Sequence, residues 1–61
     1  MEMECEIVRS GILFYAVEKG KDTSVNGEYY DTVEDAYAGV CKFLRNLGTS
    51  FILTVPVELY D

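Results

Sequence analysis

Reactive side chains are few in this chain, which holds two cysteines, a row of glutamates and no histidine. Acid–base catalysis near neutral pH most often uses histidine. A cysteine nucleophile needs an adjacent base or a helix N-terminus to lower its pKa, whereas the sequence predicts Cys5 on the inner face of a strand and Cys41 in mid-helix. Both are expected to pack as small buried hydrophobic residues. We therefore predict no catalytic residue and a protein that is not an enzyme.

The glutamates at positions 2, 4 and 6 form a row along one face of the predicted first strand, about 6.8 Å apart. A flat row does not supply the six to eight converging oxygens that Ca²⁺ takes. Two separated cysteines without histidine are too few ligands for a tetrahedral zinc site. Gly11, Gly20 and Gly27 are spaced as separate turns, and none directly opens the helix as a phosphate loop would. We therefore expect no metal and no cofactor, and an enzyme that uses Cys41 or this glutamate row is the least favoured hypothesis.

Charge and length exclude further classes of function. The 61 residues carry 11 Asp and Glu against 5 Lys and Arg, a net charge of −6, which repels nucleic-acid phosphates and anionic lipid heads. The first residues do not resemble a secretory signal, and the apolar run Ile12–Val17 is far shorter than the ~20 residues that span a bilayer. We expect a single cytoplasmic domain over residues 1–61, with no direct nucleic-acid partner, no membrane and free thiols.

Residues 1–7 alternate between apolar and acidic side chains, which predicts a half-buried strand. Gly11 favours a tight hairpin, and the β-forming run Ile12–Val17 predicts a second strand. With Ser10-Gly11 as the two-residue loop, Val8 lies opposite Leu13. A change of one residue in the loop would exchange the two faces. The predicted inner face consists of Met1, Met3, Cys5, Ile7, Ile12, Phe14 and Ala16.

The polar stretch from residue 18 to 31 is predicted to hold a turn near Gly20, a short third strand at 22–25 and a turn at Asn26-Gly27. Tyr29 and Tyr30 follow as extended chain. Because successive side chains alternate in such a segment, one tyrosine can pack under the helix while its neighbour points outward, as tyrosines at interfaces do. The alternative is that both cover the rim of the small core.

A helix is predicted after this stretch. Asp31 or Thr32 opens it, since each has an acidic residue three positions later that fits a capping box. Gly48 is predicted to end the helix, and Gly39 is assigned to its outer face. The apolar stripe recurs at helical spacing and contains Val33, Ala36, Tyr37, Val40, Cys41, Leu44 and Leu47.

Residues 51–60 predict a final strand in which Pro56 marks an edge or a bulge. It is expected beside the first strand, because the helix returns the chain across the sheet. The predicted fold class is α+β, with a small antiparallel sheet of three or four strands in the order β-β-(β)-α-β and one amphipathic helix packed on one face. From residue 11 to 47, the glycine hairpin and the run Tyr29–Ala36 resemble small β-β-β-α units such as YegP-like and HicB-like domains. The resemblance implies the order of elements and no functional residue.

One helix covers only one face of a sheet, and the predicted register leaves large apolar side chains on the other. An ordinary solvated face is mostly polar, and an exposed apolar patch of a few hundred Å² marks an interaction surface. We predict a small acidic protein-interaction module that docks a protein partner or a second copy, with a homodimer expected. Leu13, Tyr15 and Val17 would form its apolar centre. The candidate interaction residues are Glu4 and Glu6 as the rim, Val8, Leu13, Tyr15, Val17, Tyr29 and Ile52, with Tyr60 as a further candidate.

The alternative function is inhibition of a nucleic-acid enzyme, as a phage- or plasmid-type antitoxin or DNA mimic. Its basis is the small size, the net charge of −6 and the predicted lack of catalytic groups. Carboxylates at strand spacing can take the place of phosphates in a basic groove, although five basic residues partly offset the eleven acids.

Overall fold

The computed structural model describes residues 2–60, except for the side chain of Tyr60. The elements are β1 (Met3–Ser10), β2 (Leu13–Glu18), α1 (Val33–Leu47), β3 (Phe51–Thr54) and a 3-10 turn (Val57–Tyr60). The three strands form one sheet in the order β2-β1-β3, and α1 packs on one of its faces. The predicted α+β class with one helix on a small sheet is confirmed. Met1, which was assigned to the inner face, lies outside the described residues.

The hairpin between β1 and β2 turns one position later than predicted. Ser10 pairs with Leu13 and Val8 pairs with Tyr15, so the loop is Gly11-Ile12. Gly11 has a φ of +64°. This positive φ suits a two-residue hairpin turn with glycine at its first central position. No described residue other than glycine has a positive φ. The pairing thus moves by two residues along β2, an even number. Side-chain parity is preserved, and the predicted faces of β1 and of Leu13–Glu18 are kept. Ile12 was assigned to the inner face, but it lies in the turn and is 83% exposed.

The sheet is mixed, whereas an antiparallel sheet was predicted. β3 lies beside β1 as expected, but it runs parallel to it, with Met3 opposite Phe51 and Cys5 opposite Leu53. The direction follows from the path of the chain between β2 and β3. Residues 24–30 run back antiparallel to β2, through isolated bridges from Ser24 and Tyr30. The helix then crosses the sheet once more, so β3 starts at the same end as β1.

No strand forms at residues 22–25, where a third strand was predicted. Instead, Ser24 and Tyr30 make single bridges to Val17 and Phe14, and the Val25 N–H donates to the Ala16 carbonyl at 2.8 Å. The Asn26 side chain folds the chain between these contacts, since its Oδ1 accepts from the Glu28 N–H at 3.1 Å in the manner of an Asx turn. This segment, residues 24–30, covers the outer edge of β2.

Helix α1 begins after Thr32, the second of the two predicted caps. Thr32 Oγ1 accepts from the Asp35 N–H at 3.0 Å, and Gly48 ends the helix in the left-handed conformation, as predicted. The buried members of the stripe pack on Cys5, Ile7 and Ala16 of the sheet, and they are Val33, Ala36, Val40, Cys41 and Leu44.

Three aromatic or aliphatic side chains of α1 depart from the predicted stripe. Tyr37 and Leu47 were assigned to it, but they are 44% and 59% exposed. Phe43, which the stripe omitted, packs against the core. The sheet is only three strands wide, so the ends and flanks of a four-turn helix extend past it and stay in solvent.

Gly39 was assigned to the outer face of the helix, whereas the Tyr30 ring lies directly against it. A Cβ atom at Gly39 would lie 2.6 Å from Tyr30 Cζ and 2.7 Å from Tyr30 Cε2, which is closer than real carbon contacts. The Tyr30 hydroxyl accepts from Asn26 Nδ2 at 3.1 Å, so the ring is fixed from both sides. Tyr30 is therefore the tyrosine that packs beside the helix, and Tyr29 points outward.

The final strand is shorter than predicted. β3 ends at Thr54, and a 3-10 turn replaces the strand from Val57 to Tyr60. Pro56 explains the stop, because proline has no N–H to donate to a ladder. Val55 and Leu59 still pack against the core.

Candidate interaction surface on the helix-free sheet face

The face of the sheet opposite α1 collects the predicted interaction residues. Odd-numbered residues of β1 point toward the helix, as the burial of Cys5 and Ile7 requires, so even-numbered residues point away from it. The pairings of β1 with β2 and β3 assign the neighbouring side chains to the same side. We call this side the helix-free face, and its predicted members are Glu4, Glu6, Val8, Leu13, Tyr15, Val17 and Ile52.

Tyr29 joins the helix-free face through the ring of Tyr15. The two ring centroids are 4.9 Å apart and the planes are tilted by 53°, a favourable geometry for aromatic pairs. Tyr29 remains 53% exposed. Residues 24–30 thus cover the edge of β2 and also add an aromatic side chain to the surface. The Tyr60 side chain, a further candidate, lies outside the described part of the chain.

The acidic residues lie in a different arrangement from the predicted rim. β1 is the middle strand, so its glutamates run along the centre line of the face. Glu6 lies between Val17 of β2 and Thr54 of β3, and Glu4 is paired with Ile52. The rim prediction was inconsistent with the predicted strand order, which already placed β1 between β2 and the final strand, as the structure does. The helix-free face is consequently divided into two halves along the length of its strands, an apolar half at the hairpin end and an acidic half at the opposite end.

The apolar half lies at the hairpin end of the sheet. Val8 is paired with Tyr15, and Leu13 follows on the same face. All three are half-buried, because neighbouring side chains cover part of them and no second layer covers the rest. With Tyr29 against Tyr15, this half presents two aromatic rings beside aliphatic groups. Such a surface resembles the centre of a protein interface more than a solvated face.

The acidic half contains a shallow open cleft of about 400 Å³. Val17 and Ile52 contribute apolar walls, and Glu4 and Glu6 lie between them. The loop Lys19–Lys21 closes one end, with Lys19 Nζ 3.9 Å from a Glu4 carboxylate oxygen. These groups are well exposed, so the attraction between them is weak. The cleft therefore combines apolar walls with exposed acidic groups that have little pairing with cations.

Lys19 and Lys21 were not predicted to belong to this surface. Lys21 Nζ lies 3.3 Å from a Glu18 carboxylate oxygen, and Lys19 N–H continues the hairpin ladder by donating to the Glu4 carbonyl at 2.8 Å. That hydrogen bond extends the pairing beyond Glu18 and fixes the position of Lys19 beside Glu4. The sequence could have revealed this contact only through the correct hairpin register. A pairing shifted by two residues from the predicted one puts Lys19 opposite Glu4.

The remaining reactive groups are buried or scattered. Cys5 and Cys41 are free and buried, as predicted. Burial, and after it the nearby Glu18 carboxylate, raises the pKa of the Cys5 thiol above its ordinary value, which is the opposite of what activates a nucleophile. Within residues 2–60, no group of three His, Cys, Asp or Glu is placed to hold a metal ion. No helix among those residues is both long and apolar enough to cross a bilayer.

No protein-family model, no curated protein and no solved structure matches this chain. The resemblance to β-β-β-α units therefore finds no support in these comparisons, and the third strand that it implies does not form. The chain's own residues, chiefly those of the helix-free face, are therefore the only indication of its function.

Proposed function

We propose that this chain is a non-enzymatic protein-interaction module whose helix-free face docks a partner protein with basic side chains beside an apolar anchor. The observation that carries the proposal is the division of this face. Tyr15, Tyr29 and Val8 form an apolar half, while Glu4 and Glu6 line an open cleft in the other half.

The apolar half supplies the contact area. Its side chains are half-buried in the isolated chain, and a partner would remove their remaining surface from water, at roughly 25 cal/mol per Å² before the costs of association. Tyrosine adds little entropy cost when it is fixed and is enriched where binding energy is concentrated. The tilted pair Tyr15–Tyr29 also offers ring faces to a guanidinium group.

The acidic half supplies the selectivity. Glu6 forms no ion pair with any described residue. Glu4 forms one weak, exposed pair with Lys19, at 3.9 Å. A partner that covers these carboxylates must provide Lys or Arg, since burying an unpaired charge costs several kcal/mol. Face-to-face docking of two copies would instead bring four carboxylates together. The charge arrangement therefore favours a basic partner over a second copy at this face.

A peptide-display selection on the immobilised chain tests the proposal with a defined probe. Selection on the wild type, with counter-selection on Tyr15→Asp and on Glu6→Lys, should enrich peptides that combine Arg or Lys with a nearby large apolar residue. Synthetic versions of the enriched peptides should bind the wild type at least about tenfold more tightly than either variant, the size of effect that a central interface residue produces. Binding should weaken with added salt.

The control variant is Ile12→Asp. It adds the same negative charge as Tyr15→Asp, but in the hairpin turn, where Ile12 is 83% exposed. It should bind like the wild type, and circular dichroism should show all three variants folded. Selections that enrich neutral or acidic peptides would contradict the proposal. So would peptides that bind Tyr15→Asp and Glu6→Lys as well as they bind the wild type.

Inhibition of a nucleic-acid enzyme is the second candidate function, and it has weaker support. The exposed carboxylates of Glu4 and Glu6 lie two residues apart on β1, which favours it. Lys19 and Lys21 lie next to the same row and reduce its likeness to a phosphate backbone. A complex with a nuclease that DNA displaces and that survives Tyr15→Asp would support this candidate over the first.

A further inference from the structure

The outer edge of β3 is an open strand edge. β3 is the last strand in the order β2-β1-β3, and the Met3 N–H donates to the Ser50 carbonyl at 2.9 Å. Backbone groups alternate along a ladder, so the N–H and C=O groups of Phe51 and Leu53 point away from β1. In the described part of the chain, no backbone hydrogen bond joins another segment to this edge.

The same edge is the least charged region of a chain with net charge −6. Positions 46 to 57 form the longest stretch without Asp, Glu, Lys or Arg, and β3 lies in its middle. Open edges of natural sheets are usually protected by charged side chains, especially lysine. This edge has none, so two acidic copies can approach here without direct repulsion between carboxylates on the paired strands.

We infer that the β3 edge pairs with the β3 edge of a second copy, antiparallel about a twofold axis at Ile52. The outward-pointing backbone groups fix this register, because Phe51 then faces Leu53 of the other copy and exchanges hydrogen bonds with it. Ile52 faces the same residue of the other copy, on the helix-free face. Ile52 is 48% exposed in the single chain, and this pairing covers it.

Pairing at this edge closes the assembly at two copies. Residues 24–30 cover the outer edge of β2 through the bridges of Ser24 and Tyr30, so that side is not free to add another chain. The dimer would contain one six-stranded sheet with two helix-free faces on the same side. This inference concerns a strand edge, so it does not rest on the proposed function of the face.

Charge exchange at position 52 tests the inference. Light scattering on a sizing column should give twice the 6.9 kDa chain mass for the wild type. Ile52→Lys and Ile52→Glu should each give the mass of one chain, since like charges directly opposite each other on paired strands repel. An equimolar mixture of the two variants should restore the doubled mass, because the twofold axis then pairs Lys with Glu.

The control is Ile12→Lys, which adds the same charge in the exposed hairpin turn and should keep the doubled mass. Tyr15→Asp should also keep it, which separates this inference from the proposed function of the helix-free face. Circular dichroism identifies any variant that fails to fold. A monomeric wild type, charged variants that remain dimeric, or folded variants whose mixture stays monomeric would each overturn the inference.

Discussion

The two faces of the sheet are built from the same strands, but they differ in what covers them. On the helix side, Ile7 and Ala16 are fully buried under α1. On the opposite side, Val8 and Tyr15, their neighbours in sequence, remain half-buried. Both faces carry apolar groups, so the difference in burial comes from the second layer and not from the strands.

This difference assigns stability and recognition to separate surfaces. A chain of 61 residues has a total stability of roughly 3–9 kcal/mol at typical values per residue, and most of it must come from the helix-covered face. The helix-free face contributes less to folding, which leaves its side chains available for a partner. The comparison predicts that equal substitutions on the two faces have unequal effects.

The largest expected effect comes from shortening a leucine on each face. Leu44→Ala removes a fully buried side chain and should lower the free energy of unfolding by about 2–5 kcal/mol, through lost transfer energy and a cavity. Leu13→Ala, on the helix-free face, should cost about 1 kcal/mol, because a half-buried side chain loses less contact with its neighbours. Urea titrations followed by circular dichroism measure both.

Equal losses at the two leucines would show that the helix-free face is as well covered as the other. The comparison between the faces would then fail. The slopes of the two titrations should agree with that of the wild type, since neither change alters how much surface unfolding exposes.

Substitution of Gly39 should have the next largest effect on stability. It tests how closely Tyr30 packs against the helix at the edge of the covered face. Gly39→Ala raises helix propensity by about 1 kcal/mol, yet its methyl group would overlap the Tyr30 ring. Displacing a ring that also accepts a hydrogen bond from Asn26 is overpacking, which costs about 1–3 kcal/mol. We expect a net loss of about 1 kcal/mol in thermal or urea unfolding.

The matching double-mutant cycle separates the two contributions. In a Tyr30→Leu background the distant ring atoms are gone, and Gly39→Ala should then stabilise the protein by up to about 1 kcal/mol through helix propensity alone. The same sign of effect in both backgrounds would mean that Tyr30 does not restrict residue 39.

Local patterns in the sequence predicted the faces of β1, the helix, its end at Gly48 and its N-cap as one of two adjacent residues, because alternation and capping are decided by residues close in the chain. The faces of β2 were correct despite a wrong loop, since the pairing moved by an even number of residues. The direction of β3 and the role of Gly39 depend on the path of residues 24–30. That path is set by contacts of Tyr30 with Phe14 of β2 and with Gly39 of α1, which are distant in the chain and which no local pattern reveals.

Removing the N-cap of α1 should have a smaller effect on stability. It tests only the helix that covers the sheet. Thr32→Ala removes the oxygen that accepts from the Asp35 N–H and should lower the free energy of unfolding by about 1 kcal/mol. Thr32→Ser keeps the oxygen and should stay near the wild type. A Thr32→Ala variant as stable as Thr32→Ser would show that this hydrogen bond adds nothing to the stability of the helix.

The smallest expected effect lies on the helix-free face, at the ion pair between Lys19 and Glu4. The two groups are 3.9 Å apart and mostly exposed, and exposed pairs contribute about 0–1 kcal/mol. Lys19→Ala should therefore change the free energy of unfolding by less than about 0.5 kcal/mol in urea titrations at low salt, and by less still at high salt. The same substitution frees the Glu4 carboxylate, so it should strengthen the binding of the basic peptides selected on the wild type. A variant that is clearly less stable, with peptide binding unchanged, would mean that the acidic half of the face serves folding and not recognition.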